Sequence, residues 1–567
     1  MEKYQAEFEK WLAEPSVPEE MKAELRSLDE DAKKDRFGSY MSFGTAGLRS
    51  KMGAGTFYMN DFTVAHATAG LAKLILAENA ADRGVVIAYD SRNNSKEFST
   101  RAAQVLAAYG IRVYLFPSLR PTPVLSYAIL KLGCIAGINV TASHNPSEYN
   151  GYKAYWEDGA QLPPEHAKQV SDAMAEIDIF SVPGAGKARP ELICEVSKEV
   201  DVPYLECVLE QRVNKDAVPA VADELKIVYT PLHGAGAVMV PEVLKKVGLK
   251  HLYTVEEQMA PDGDFPTVYY PNPEFAEAFE LGIKLAEKVG SELVIATDPD
   301  CDRVGVVAKA ANGEFRTITG NQMGALLIDY IIRAYEKAGT LPKDAYAVKS
   351  VVSSNMPQKI AETHGVTFYN VLTGFKFIGE MIKKHLDEGH GTFILGFEES
   401  YGYLKGTYAR DKDAVVASML IVEMAAFYKT QGKTLIDALE ELFETYGYYG
   451  ERVMNIKIEG LDAAGQMKAK MASLRAETPQ TLGEYKVAEV RDYADGSVKR
   501  NDGSLSETGL PKTNMLYYVT ECGDTLIIRP SGTEPKIKVY ILATASSKDE
   551  LAKHLEALET DAKAMFD

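Results

Sequence analysis

Leu293-Val294-Ile295-Ala296-Thr297-Asp298-Pro299-Asp300-Cys301-Asp302-Arg303 is the stretch on which the reading of this chain turns. A short apolar run bounded by turn residues reads as a strand buried on both faces. It opens directly into a loop of alternating carboxylates. The same pattern recurs along the chain. Val85-Val86-Ile87-Ala88-Tyr89 leads into Asp90-Ser91-Arg92, and residues 135–140 lead into Thr141-Ala142-Ser143-His144-Asn145-Pro146. Residues 225–229, interrupted by Lys226, lead into Thr230-Pro231-Leu232-His233-Gly234. Phe393-Ile394-Leu395 leads into Gly396-Phe397-Glu398-Glu399-Ser400. Each loop then gives way to a helical pattern. Buried strands alternating with helices define α/β units, in which ligands gather at the carboxyl ends of the strands. From about residue 446 the texture changes to short strands (452–458, 525–528, 537–542) between polar segments, with a closing helix from about Lys548. That is a smaller α+β domain.

The chain has 567 residues, enough for three to four domains at roughly 150 residues each. Glu, Lys and Ala dominate residues 1–40, where Pro15 and Pro18 predict two short helices. The expected organisation is a helical extension over 1–40 and domains over 41–205, 206–315, 316–445 and 446–567. Lys and Arg total 62 against 81 Asp and Glu, a net charge of −19. No basic run offsets this, so neither nucleic acid nor an anionic membrane is an expected partner. The apolar stretch 414–428 is short and contains Glu423, so it reads as a buried helix and not a membrane span. The start shows no secretory pattern. Five scattered cysteines form no C-x-x-C pair, which signals neither a disulfide framework nor a zinc knot. A reducing cytoplasm is the expected location.

Four loops could carry chemistry. Asp298, Asp300 and Asp302 alternate, so an extended loop can converge them on one hard divalent cation, which wants oxygen ligands. Alone, the pattern reads equally as a solvated acidic turn; the EF-hand template fails because Arg303 and Lys309 stand where Gly and Glu are required. The loop around Ser143 lacks the G-x-S-x-G elbow, which disfavours an ordinary serine hydrolase. Neighbouring side chains are expected to point apart, so a Ser143–His144 pair is not anticipated. A serine that carries phosphate remains open. Arg529-Pro530-Ser531-Gly532-Thr533 supplies one guanidinium, two hydroxyls and a flexible backbone that can cradle a phosphate, or simply make a tight turn. Gly396-Phe397-Glu398-Glu399-Ser400-Tyr401-Gly402 offers carboxylates and a hydroxyl suited to vicinal sugar hydroxyls, or an exposed acidic turn.

Together these loops, in this order, resemble the α-D-phosphohexomutases of the phosphoglucomutase/phosphomannomutase branch. The resemblance runs from Phe43-Gly44-Thr45-Ala46-Gly47-Leu48-Arg49 to Lys536-Ile537-Lys538-Val539-Tyr540. Thr230-Pro231-Leu232-His233-Gly234, Thr373-Gly374-Phe375-Lys376 and Arg410-Asp411-Lys412-Asp413 also match. The resemblance implies three similar α/β domains and a smaller C-terminal α+β domain around a central cleft. It implies a phosphoserine at Ser143, which with Asp298, Asp300 and Asp302 would hold Mg2+. Arg49, His144, Lys153 and Arg303 would be active-site charges, with Lys153 a candidate proton acceptor. Thr373, Gly374, Glu398, Ser400 and Lys412 would contact substrate, and Arg529, Ser531, Gly532 and Thr533 would hold its non-transferring phosphate. Lys538 stands where many relatives carry arginine.

The implied reaction interconverts glucose 1-phosphate and glucose 6-phosphate through glucose 1,6-bisphosphate, which also serves as activator. Mannose and pentose phosphates stay open as substrates. A bisphosphate synthase and a non-catalytic sugar-phosphate-binding protein are further alternatives. The expected partners are small sugar phosphates, and the expected state is a monomer or dimer.

Overall fold

The computed structural model describes residues 2–44, 47–458, 463–531 and 536–566. The chain divides into two compact units, residues 1–320 with 375–435 and residues 321–374 with 436–567.

The first unit begins with three helices, Lys3–Ala13, Glu19–Arg26 and Glu30–Phe37, where the sequence predicts two. The prolines account for the first break only. The third helix starts at its own cap, where the Asp29 carboxylate accepts a hydrogen bond from Ala32 N at 2.8 Å. The helices pack around fully buried Trp11, with Phe8, Leu25 and Phe37.

A six-stranded sheet follows. Its order is Leu48–Lys51, Tyr149–Trp156, Ala136–Val140, Val85–Tyr89, Val113–Leu115, Ile193–Glu195. Val85–Tyr89 runs parallel to both of its neighbours, and every residue of Val85–Tyr89 and Ala136–Val140 is buried. Tyr149–Trp156 returns antiparallel and sets Lys153 opposite Asn139. The apolar-run pattern does not identify this strand, because its polar residues hide it.

The five-stranded sheet has the order Phe315–Ile318, Val304–Lys309, Leu293–Thr297, Lys226–Thr230, His251–Thr254. Here the aspartate loop leads into no helix. It closes a hairpin in which Thr297 pairs with Val304, because residues 304–308 are themselves an apolar run. A second hairpin pairs Thr392–Glu398 with Gly402–Leu404. The helix Ala414–Lys429 is almost wholly buried and capped by Asp413, as its composition predicts.

In the second unit Ala345–Ser350 pairs parallel with Thr367–Val371. The C-terminal part is an antiparallel sheet of path Tyr448–Lys457, Lys536–Ala545, Thr525–Pro530, Leu516–Thr520, Tyr485–Asp492, Ser497–Arg500, Leu505–Glu507. Leu526, Ile528, Val539 and Ile541 face its core, to which Leu558 of the closing helix Lys548–Ala564 contributes. Among the described residues no helix is long and apolar enough to cross a membrane.

Candidate active site

Ser143 is 3% exposed and adopts φ +51°, a left-handed conformation that a non-glycine residue holds only under constraint. The constraint is visible. Thr141 Oγ1 donates to Asp90 Oδ2 at 2.6 Å and accepts from Ser143 N at 2.8 Å. Arg92 then gathers the loop's carbonyls. Its Nη2 donates to Ser143 O at 2.6 Å and to Asn145 O, while its Nη1 donates to Pro146 O at 2.8 Å and Tyr149 O at 3.0 Å. Both Arg92 and Asp90, 3.4 Å apart, have side chains with no exposure. Burial pulls the Arg92 guanidinium down to about 10 against the attraction of Asp90, so it stays charged at neutral pH. Gly151 permits the close passage of this loop, since a Cβ there would lie 2.5 Å from Thr141 O.

The turn also corrects an expectation. Ser143 Oγ lies 3.1 Å from His144 Nδ1, so the adjacent side chains do meet. The left-handed backbone at Ser143 breaks the alternation that would set them apart. Burial, Arg303 and Arg49 push the His144 imidazole well below its ordinary range, which leaves it neutral. Arg49 reaches the same loop, with Nη1 3.3 Å from Asn145 Oδ1.

Ser143 Oγ donates to Asp298 Oδ2 at 2.7 Å. This bond joins the serine loop to the aspartate loop. Asp298, Asp300 and Asp302 are all buried, and their ligand atoms lie within 4.8 Å of one another. The aspartate loop turns through Cys301 at φ +53°. Its backbone is held from several elements: Thr122 N donates to Asp300 O, Ala235 N to Pro299 O and Ala414 N to Cys301 O. Asp298 Oδ1 accepts from the backbone N–H groups of Asp302 and Arg303 at 3.1 and 3.0 Å.

Two lysines balance the carboxylates. Lys153 Nζ is 2.7 Å from Asp300 Oδ2 and 3.3 Å from Asp302 Oδ2, and Lys412 Nζ is 3.1 Å from Asp302 Oδ2. Burial would lower Lys153, but Asp300 and Asp302 outweigh it and raise its pKa, so as placed it is an ammonium donor. Burial would raise Asp302, but Lys412, Lys153 and Arg303 hold it well below the usual carboxylate range. Burial and the other two carboxylates push Asp298 well above that range. Asp300 Oδ1 and Asp302 Oδ1 are buried without a hydrogen-bond partner. Two unmatched anionic oxygens beside a third carboxylate are what a hard cation satisfies, and the residues fit one.

The surroundings add charge. Arg303 Nη1 donates to Glu274 Oε1 at 2.8 Å. Lys412 is also bound to Asp411, whose other oxygen accepts from Tyr155 OH at 2.8 Å. Glu398 is 6% exposed, and its charge acts on Lys412 and Arg303. Ser400 sits half-buried in the turn between Glu398 and Gly402. The remaining predicted residues belong to the second unit. Thr373 and Gly374 follow the strand Thr367–Val371. Arg529 lies near the end of Thr525–Pro530, opposite Lys538, and Ser531 N donates to Lys536 O at 2.8 Å. Gly532 and Thr533 lie outside the described residues, as do Thr45 and Ala46.

Sequence reading missed Asp90, Arg92, Thr122 and Glu274 as parts of this site. Asp90-Ser91-Arg92 carried a usable signal, a charged loop at a buried strand's carboxyl end, but nothing local points to carbonyls some fifty residues away.

A buried, constrained serine is thus joined to a cluster of oxygen ligands with flanking cations in an α/β scaffold. The models for phosphoglucomutase/phosphomannomutase α/β/α domains I, II and III match residues 40–179, 202–313 and 319–446, and that for the C-terminal domain matches 467–559. The chain belongs to the phosphoglucomutase/phosphomannomutase family, the α-D-phosphohexomutases. A phosphoglucomutase of Staphylococcus epidermidis is 38% identical over 91% of this chain and 93% of its own. One of Staphylococcus aureus is 36% identical over 93% of each chain. Solved structures share the fold at low identity. A phosphoglucomutase/phosphomannomutase family protein of Burkholderia thailandensis gives a TM-score of 0.65 at 18% identity, covering 92% of this chain and 97% of its own. Parafusin, a phosphoglucomutase of Paramecium, gives 0.67 at 18%, covering 93% and 95%. The family is metal-dependent, and the three aspartates give this chain a site suited to a metal ion.

Proposed function

We infer that this chain is a phosphoglucomutase, an isomerase that moves a phosphate within a sugar between glucose 1-phosphate and glucose 6-phosphate. The observation that carries the reading is the Ser143 hydroxyl held 2.7 Å from Asp298 in the aspartate cluster. The staphylococcal phosphoglucomutases, alike over nearly the whole chain, support the choice of sugar. Ser143 is proposed to carry the phosphoryl group, Asp298, Asp300 and Asp302 to hold Mg2+ with it, and glucose 1,6-bisphosphate to be intermediate and activator. Magnesium bound there would stabilise the negative charge that builds on the transferring phosphoryl.

The protein's own groups divide the remaining work. In the half-reaction that returns phosphate to the enzyme, Ser143 Oγ must shed its proton. The Asp298 carboxylate at 2.7 Å and the neutral His144 imidazole at 3.1 Å are within reach. Arg49, Arg303, Lys153 and Lys412 supply positive charge around the transfer. As placed, Lys153 is a donor, and its assigned part is to offset the aspartates. Glu398 and Ser400, with Thr373 and Gly374, are proposed to read sugar hydroxyls. Arg529, Ser531, Gly532 and Thr533 are proposed to take the phosphate that does not transfer. Boundaries near 40, 205, 315 and 445, a monomeric or dimeric state and a cytoplasmic location complete the proposal.

The test compares kcat/KM on glucose 1-phosphate, mannose 1-phosphate and ribose 1-phosphate with Mg2+ and the matching bisphosphate. The glucose compound is expected to lead by at least about tenfold, a difference of ~1.4 kcal/mol in transition-state binding. A lead for mannose or ribose would overturn the choice of sugar and leave the mutase chemistry intact.

A further inference from the structure

A second cluster of ligand-type side chains lies in the C-terminal domain, within the second unit. Cys522 and Asp524 flank Gly523 in the tight turn joining Leu516–Thr520 to Thr525–Pro530, and His554 comes from the closing helix. Their ligand atoms all lie within 4.8 Å of one another. The Asp524 side chain is 2% exposed and that of His554 10%. His554 Nδ1 approaches Asp524 Oδ2 at 3.0 Å, yet the contact is not aligned as a hydrogen bond, and Nδ1 has no hydrogen-bond partner. A buried ring nitrogen with no aligned hydrogen bond, set against a carboxylate and a thiol, is placed to take a ligand.

The atoms around the cluster are arranged as for a metal. A ligating imidazole donates its other N–H to a fixed acceptor, which sets the tautomer. Here His554 Nε2 lies 3.2 Å from Tyr485 OH, and the two rings meet edge-on at 5.1 Å. The other oxygen of Asp524 accepts from Thr544 N at 2.9 Å, which orients the carboxylate. Thr520 Oγ1 stands 3.1 Å from Cys522 Sγ and 3.3 Å from Asp524 O, so its one proton can turn from the carbonyl to a thiolate. Bonds of about 2.0–2.3 Å to a tetrahedral ion space the ligand atoms about 3.3–3.6 Å apart. The 3.0 Å contact is already close to that spacing.

We propose that Cys522, Asp524 and His554 form a binding site for a borderline-soft divalent cation of the zinc type, separate from the aspartate cluster. One sulfur, one nitrogen and one oxygen ligand favour such an ion over magnesium, which prefers oxygen throughout. On binding, the Cys522 thiol releases its proton to solvent. The thiolate, the carboxylate and the ion's two positive charges then cancel, and His554 ligates as the neutral Nε2–H tautomer. Water takes the fourth position. The bound ion ties the 520–525 turn to the closing helix. C-x-x-C arithmetic misses the site, because two ligands are spaced C-x-D and the third stands thirty residues on.

The test uses the full-length protein, stripped with a chelator and titrated with Co2+ in excess Mg2+. One equivalent of cobalt is expected to give a thiolate-to-metal charge-transfer band in the near ultraviolet, with intense visible bands of a tetrahedral ion, and zinc is expected to displace it. Cys522→Ser should abolish the charge-transfer band and weaken cobalt binding at least about tenfold. It should leave Mg2+-supported mutase turnover unchanged, which shows that the variant folds. His554→Gln should weaken binding comparably. No band in the native protein, or a band that survives in Cys522→Ser, would overturn the proposal and leave an ordinary Asp524–His554 pair.

Discussion

The serine loop and the aspartate loop both leave a buried strand and both turn through a left-handed residue, Ser143 at φ +51° and Cys301 at φ +53°. They are anchored in different ways. The serine loop is held chiefly by one side chain, since Arg92 donates to four carbonyls while Thr141 adds a single bond to Ser143 N. The aspartate loop is held by separate backbone donors from Thr122, Ala235 and Ala414, and by the internal bonds of Asp298 Oδ1. A loop that presents a nucleophile needs one orientation, which a planar five-donor guanidinium can fix. A loop that presents three carboxylates must resist their mutual repulsion along its length, which distributed anchors do better.

The largest effect on structure should come from breaking the single clamp. Arg92→Leu removes a donor from four carbonyls and leaves Asp90 buried without its charged partner, a loss of about 3–5 kcal/mol. Denaturant unfolding should show it, with turnover falling in parallel. Arg92→Lys should recover only part, because an ammonium cannot span both pairs of carbonyls. Near-native stability in Arg92→Leu would erase the contrast between the loops.

Asp298→Asn sharpens it from the other side. The amide oxygen can still accept from Asp302 N and Arg303 N, so stability should change little. Turnover should fall about 10²–10³-fold, as when one electrostatic contact to a transition state is removed. Collapse of the fold would mean that the charge, and not the backbone bonds, holds the loop.

The smallest effect concerns the rigidity of the aspartate loop. Burial, Asp298 and Asp413 raise the Cys301 thiol well above its ordinary pKa, while Cys194 is exposed. Alkylation at mildly alkaline pH should modify Cys194 first and spare Cys301 until the protein unfolds. Equal rates would show that the loop opens freely.

Much of this was legible in advance, for physical reasons that can be named. Val85–Tyr89 and Leu293–Thr297 announce themselves because strands buried on both faces need uninterrupted apolar residues. The three aspartates stand out because alternate carboxylates after a buried strand can converge on one cation, whereas Ser143 stands out only through the resemblance of its loop to the family's. What stayed hidden is relational. Tyr149–Trp156 mixes Asn150 and Lys153 into a buried strand, since Lys153 finds its partners on another loop. Arg92 looks like an ordinary loop arginine until the fold carries Ser143, Asn145, Pro146 and Tyr149 to it. The Ser143–His144 contact follows from a backbone angle that no side-chain pattern encodes.

Ser143 is proposed to carry the phosphoryl group, and its removal gives the most direct test. Purified native protein and Ser143→Ala should be assayed side by side with Mg2+, glucose 1-phosphate and trace glucose 1,6-bisphosphate, following glucose 6-phosphate. Steady turnover is expected in the native protein, with a loss on the order of 10⁴-fold or more in the variant, as when a catalytic nucleophile is removed. Equal turnover in the two proteins would contradict it.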